Sequence, residues 1–214
     1  MQSIISVTTP SSYQYLTTLD RVKQELSITD NGSDAILTSK ISEASSDIFA
    51  RIWPRPRETV METFYPEPGQ SVSRAQLMLS RWPLVSVTTA TVDGESVVSD
   101  NYRIDAEAGM LLYLADDGYR SCWTFSRSAE IVYVGGFSMP GEVAQPTLPP
   151  ALEAACVELV SSYWFSRGRD PTIRQEEVPN VGSQTFWVGA IGESGSLPPG
   201  VESKIAPYRR VVIA

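Results

Sequence analysis

The apolar residues of this chain change their spacing twice, and that change limits the folds open to it. Before Trp53 they recur at helical intervals. Thr17-Thr18-Leu19-Asp20 reads as a capping box, and Leu19, Val22 and Leu26 follow on one face until the polar turn Thr29 to Gly32. Ser33 can cap a second helix, in which Ile36, Leu37, Ile41, Ala44, Ile48 and Ile52 form an apolar stripe that ends at Trp53-Pro54. From Arg55 to Gly136 the pattern becomes that of strands. Short β-prone runs, Val60 to Tyr65, Ala75 to Leu79, Val85 to Val92, Tyr102 to Ile104, Met110 to Leu114 and Glu130 to Val134, are divided by Pro, Gly, Asp and Asn. Asp93-Gly94 is a type I′ hairpin signal, because both residues tolerate positive φ, and Asp105 to Gly109 suits a second turn. Pro149-Pro150 then suits a helix start, with Leu152, Cys156, Leu159 and Tyr163 on one face until Gly168.

This order predicts an α+β fold of a particular kind: a small antiparallel helical bundle, three main helices plus a short C-terminal helix, into which an antiparallel β module is inserted. Residues 1–54 would supply two bundle helices, 55–147 the β module, 148–168 the third helix, and 169–214 a loop or β arm, a short helix and a tail. Ala154, Ala155 and Cys156 would let the third helix approach the first two closely.

Composition removes several functions. A net charge of −8 argues against generic nucleic-acid binding, which draws its affinity from cationic side chains that displace counterions. The chain has no His, so Ser-His-Asp, Cys-His and HExxH chemistries are excluded. Cys122 and Cys156 form no CxxC, so neither a zinc site nor a dithiol motif is encoded, and Cys156 reads as core. No metal and no cofactor is expected. Met1 to Pro10 has neither the basic flank nor the apolar stretch of a signal peptide, and no run of about 18 apolar residues occurs, so the expectation is a cytoplasmic product without a membrane segment.

Three groups of residues are candidates for function. Between Asp93 and Asp117 stand seven acids, Asp93, Glu95, Asp100, Asp105, Glu107, Asp116 and Asp117, against Arg103 alone. Paired carboxylates could hold Mg²⁺ or act as glycosidase acid and base. The stronger reading places them at turns, where Asp is chosen for backbone reasons. Gly189, Gly192 and Gly195 do not make a P-loop, since no Lys-Ser/Thr pair is present and no helix follows directly. Trp164, Phe165, Phe186 and Trp187 are the aromatic candidates for a subunit interface, with the core as the competing destination for those on the third helix. The final stretch, with Glu202, Lys204, Arg209 and Arg210, is net positive on an acidic protein, and its apolar end needs a neighbour to cover it. Tyr, paired Arg and aliphatic residues are what interface anchors use.

Taken in order, the motifs resemble those of the head-tail connector (adaptor, neck) proteins of long-tailed bacteriophages and prophages. The matching residues are Leu19 to Leu26, Asp34-Ala35-Ile36-Leu37, Arg81-Trp82-Pro83-Leu84-Val85-Ser86-Val87, Tyr102-Arg103-Ile104-Asp105, Val132-Tyr133-Val134-Gly135-Gly136-Phe137, the Pro149-Pro150 helix to Arg167, and Ala206-Pro207-Tyr208-Arg209-Arg210. The resemblance implies a non-enzymatic homo-oligomeric ring in the virion neck, twelve subunits seated on the portal protein, presenting a platform to the next neck or tail protein. Phage DNA would pass through it without specific binding, and acidic walls would repel phosphate within a Debye length of about 8 Å. On that reading Tyr208, Arg209, Arg210, Val211, Val212 and Ile213 dock on the portal, Asp93, Asp105, Asp116 and Asp117 face the lumen or the tail side, and assembly takes place in the host cytoplasm. Another virion protein, a carbohydrate-binding module and a carboxylate-based hydrolase are the alternatives.

Overall fold

The computed structural model describes residues 1–167, 175–178, 182–185 and 197–209. They divide into two compact units, Met1–Gln14 with Pro54–Glu142, and Tyr15–Trp53 with Val143–Ala214.

The first unit is built of strands. Its main sheet is antiparallel, in the order β1 (Gln2–Thr9), β2 (Glu58–Tyr65), β10 (Ala129–Gly135), β5 (Leu84–Val92) and β6 (Glu95–Ser96). A three-stranded sheet is formed by β4 (Gln76–Met78), β8 (Met110–Tyr113) and β7 (Tyr102–Asp105), and β3 (Val72–Arg74) pairs with β9 (Trp123–Phe125). On β2 and β10 the side chains alternate, so Val60, Glu62 and Phe64 point inward beside Ala129, Ile131 and Tyr133. Leu77, Leu84, Ala90, Leu111, Trp123 and Phe125 complete this core. Trp123 is fully buried, and its indole N–H donates to Leu111 O at 2.9 Å. Burial of a side chain of this size contributes about 1.5–3 kcal/mol, provided the polar atom is satisfied as it is here.

The second unit is built of helices: α1 (Leu19–Leu26), α2 (Asp34–Phe49), α3 (Pro150–Phe165) and α4 (Pro199–Ile205), the last followed by a 3₁₀ turn, Ala206–Tyr208. Thr18 caps α1, its hydroxyl accepting from Arg21 N at 3.2 Å, and Ser27 closes the helix in the left-handed conformation. Ser33 sits at the cap of α2 without a side-chain bond; its carbonyl accepts from Leu37 N. α3 ends at Phe165, before Gly168, which lies outside the described residues. It packs on α1, α2 and α4. Leu37, Ile41, Ala44 and Ile48 of α2 are buried, as are Leu152, Ala155, Cys156 and Leu159 of α3 and Val201 and Ile205 of α4. Ser45 Oγ, 3.6 Å from Cys156 Sγ, also accepts from Leu16 N, and burial pushes the Cys156 thiol up to about 12. That thiol is chemically inert. β11 (Gln175–Val178) and β12 (Gly182–Thr185) form an antiparallel pair. No helix of the described residues is long and apolar enough to cross a membrane.

The expected architecture is therefore corrected. The chain folds as α+β, but not as a helical bundle carrying an inserted β module. The described residues contain four α-helices, and the largest sheet has five strands, the first of which precedes every helix. Pairing of Gln2 with Tyr65 and Ser3 with Phe64 makes residues 2–9 part of the β unit, so that unit is not an insertion between helices.

Candidate functional site

Two of the motifs that carry the family resemblance meet in the β unit. Gly136 N donates to Pro83 O at 3.0 Å, Phe137 N to Arg55 O at 2.9 Å, and Arg57 N to Phe137 O at 2.8 Å. Three chain segments are thus laced together around Gly135 and Gly136. A Cβ at Gly135 would lie 2.3 Å from Arg81 O, and one at Gly136, where φ is 108°, 2.4 Å from Pro56 O. No side chain fits at either position. Trp82 packs edge-on against Phe137, with ring centroids 5.8 Å apart. The Arg81 to Leu84 and Val134 to Phe137 motifs are therefore one structural joint.

Beneath the joint lies a residue that the sequence motifs do not single out. Glu62 is fully buried on β2. Its carboxyl accepts from Ser80 N at 2.9 Å, Ser80 Oγ at 2.7 Å and Tyr133 OH at 2.9 Å, and the Tyr133 oxygen accepts from Arg81 N at 3.1 Å. Burial, then the neighbouring Glu62, pushes the Tyr133 phenol well above its ordinary range. Arg81 Nε reaches Glu58 at 3.3 Å. The network anchors Ser80 and Arg81, and so aims the turn that follows. Its signal in the sequence is an acid at an inward position of the alternation Val60, Glu62, Phe64.

Of the four acids singled out for a lumen or tail-side role, Asp93, Asp116 and Asp117 sit in turns, and Asp105 ends β7 with its carboxylate reaching into the turn that follows. Asp93 takes φ 52° and Gly94 φ 93°, the pair of left-handed positions a type I′ turn needs. The Asp93 carboxylate accepts from the backbone N–H groups of Ser126 (2.9 Å), Arg127 (2.7 Å) and Ser128 (3.0 Å), and from Ser126 Oγ (3.1 Å). Those three amides lower its pKa to about 2. Asp105 accepts from Ala108 N at 3.1 Å, Asp116 from Asn101 Nδ2 at 2.8 Å, and Asp117 from Tyr119 N at 3.0 Å. The last three are exposed. Among the described residues, no three Asp, Glu or Cys side chains come together to hold a metal.

A pH dependence follows from Asp93. Its folded pKa lies below the ordinary value of 3.8, so its contribution to stability is complete above about pH 4 and is lost as the pH falls toward 2. In thermal melts between pH 5 and pH 2, Asp93→Asn is expected to flatten the acid limb of the stability curve. A variant whose acid limb matches the wild type would show that the carboxylate does not hold the loop.

No protein-family model matches the sequence, and no curated protein sequence matches it. Solved structures do. Over 99% of its length the chain superposes on 97% of a chain in the virion of a native gene transfer agent (GTA) particle, with a TM-score of 0.54 and 15% identity. All of it superposes on 98% of a chain in the neck of an empty GTA particle computed with C6 symmetry, with a TM-score of 0.51 and 16% identity. The chain shares its fold with a component of such a particle.

Of the docking and interface candidates, Tyr208, Arg209, Trp164 and Phe165 lie in the helical unit. Tyr208 O accepts from Trp53 N at 2.9 Å, Arg209 forms a β-bridge with Ile52, and its guanidinium is ion-paired with Glu202. Lys204 is ion-paired with Glu158 on α3. Tyr208 and Arg209 are thereby fixed to the body of the unit, whereas Arg210, Val211, Val212 and Ile213 lie outside the described residues. On α3, Phe165 is 76% exposed, and half-buried Trp164 carries the Arg167 guanidinium 3.8 Å above its ring. Phe186 and Trp187 also lie outside the described residues.

Proposed function

We propose that this chain is a structural subunit of the neck of a phage or phage-like virion, a head-tail connector that forms a ring on the portal protein and offers a platform to the next neck or tail component. The observation that supports this reading most directly is the full-length likeness to a chain in the GTA neck, with 98% of that chain covered. The order and spacing of the motifs, each short and weak by itself, support the same reading. In this reading the ring has twelve copies and the chain does no bond-making. Phe165 and Trp164, with Phe186 and Trp187, belong to subunit contacts. Asp105, Asp116 and Asp117 face the lumen or the tail side, where their charge keeps phosphate off the wall, and Asp93 shapes the turn among them. DNA crosses without specific contact.

Electron microscopy of the purified protein mixed with portal rings tests the proposal. A rotationally symmetric layer added to the portal is expected; portal rings left bare at micromolar protein would refute it.

The tail has its own test. Tyr208 and Arg209 anchor the tail to the helical unit, so removal of residues 210–214 alone leaves the Trp53, Ile52 and Glu202 contacts in place. The shortened protein is expected to melt as the full chain does and to lose portal binding by at least tenfold in a pull-down. Undiminished binding would remove the tail from the docking surface.

A further inference from the structure

One edge of the main sheet lacks the devices that protect edges, and the other has them over only part of its length. Sheets normally guard an exposed edge with charge, Pro or a strand too short to pair. Here β1 (QSIISVTT) and β5 (LVSVTTATV) contain no charge, whereas β2 contains Glu58 and Glu62 and β10 Glu130; beyond β5 the two-residue β6, with Glu95, guards only one end of that strand. All eight residues of β1 are exposed, with Ile4 at 54%, Ile5 at 41% and Val7 at 40%. One side of β1 is paired with β2; among the described residues no strand pairs with the other.

The opposite edge is also incomplete. β6 covers only Thr91 and Val92 of β5, Val97 N reaches Ala90 O, and Leu84 N is taken up by Ala106 O. Between them, Val85 to Thr89 has no strand partner on that side among the described residues. Val85 is 50% exposed.

We propose that the free edge of β1 pairs with the Val85–Thr89 edge of β5 in a second copy of this chain, joining their main sheets. Strand direction selects this pairing. β1, β2, β10 and β5 alternate in direction, so β1 runs against β5. A copy rotated about an axis along the strands brings its β1 beside β5 in antiparallel order, with no reversal of the subunit. Such a contact is heterologous: each copy gives one edge and receives on the other, which leaves no edge open once the copies close. Pairing of two β1 strands about a twofold axis would leave both β5 edges bare. The inference deepens the ring reading and rests on it only for closure; the pairing itself can be tested alone.

The test uses full-length protein in a Cys122→Ser background, which removes the exposed thiol and leaves the inert, buried Cys156. One preparation carries Ser6→Cys and another Thr88→Cys, both at exposed strand positions. A short bismaleimide is expected to yield a covalent dimer when the two are mixed at high concentration and almost none from either alone. Adding Ile5→Lys and Val7→Lys to the first preparation should cut that yield at least tenfold, with circular dichroism unchanged. A dimer from Ser6→Cys alone would mean β1-to-β1 contact and would overturn the proposal, as would no dimer from the mixture. Bare portal rings beside a cross-linked mixture would refute the connector reading and leave the edge pairing standing. Decorated portal rings without the cross-link would do the reverse.

Discussion

Gly136→Ala is expected to destabilise the β unit by about 3 kcal/mol or more, because two costs act together at that position. A left-handed or more extreme backbone costs an L-residue about 1–2 kcal/mol. Gly136 sits at φ 108°, so alanine incurs that cost before any contact is considered. The added Cβ would then stand 2.4 Å from Pro56 O and 2.9 Å from Arg55 O. Both neighbours are backbone, and both residues belong to the segment laced to Phe137 by Phe137 N to Arg55 O and Arg57 N to Phe137 O. Relief requires the segment to move away, which loosens those bonds. Gly118→Ala separates the two causes, since φ there is 80° and nothing lies within 4 Å of a built Cβ. Its expected cost is about 1 kcal/mol, from backbone strain alone. Urea unfolding followed by tryptophan fluorescence gives both values, with Trp82 and Trp123 as reporters inside the unit. Equal losses for the two variants would mean that the joint is looser than its hydrogen bonds indicate.

Features decided within a few residues are legible in the sequence itself. The Asp93-Gly94 turn follows from the φ tolerance of two adjacent residues, whereas the cap of α1 falls on Thr18, one residue after the Thr17 that the capping box implies. β1 is not legible in that way, because a strand exposed on both faces shows no clean alternation of apolar and polar residues: Ile4 and Ile5 are neighbours, and both are exposed. Its place in the sheet depends on residues far along the chain, Gln2 against Tyr65, and no local pattern reports such a pairing. That strand changes the architecture from a bundle with an insertion to two units. The acidic turns carry two possible meanings in the sequence, and the Asp93 carboxylate, bound by three backbone amides, has the structural one. Glu62 escapes notice because acids in strands normally face water, and its inward position shows only when Val60, Phe64 and the partners on β10 are seen together.

Glu62 also yields the second large effect. Glu62→Leu is expected to cost about 2–3 kcal/mol, since a buried donor such as the Tyr133 hydroxyl costs about 1–3 kcal/mol when left without an acceptor and the half-buried Ser80 donors cost less. Ser80 N–H, Ser80 Oγ–H and Tyr133 O–H all lose their acceptor at once. Glu62→Gln keeps the shape and one carbonyl oxygen. That oxygen can serve Ser80 N and Tyr133 OH while the new amide group donates to Ser80 Oγ, so the expected loss is only about 1 kcal/mol. Tyr133→Phe removes one donor to Glu62 and the acceptor for Arg81 N, at a cost of about 1–2 kcal/mol. The double variant Glu62→Leu with Tyr133→Phe tells the origin of the effect. If the penalty comes from orphaned donors, deleting the tyrosine hydroxyl removes one of them, and the double variant is less destabilised than the sum of the singles by about 1 kcal/mol. Strict additivity would locate the loss in packing, and the carboxyl would then be a filler of space beneath the Arg81-Trp82-Pro83 turn instead of its anchor.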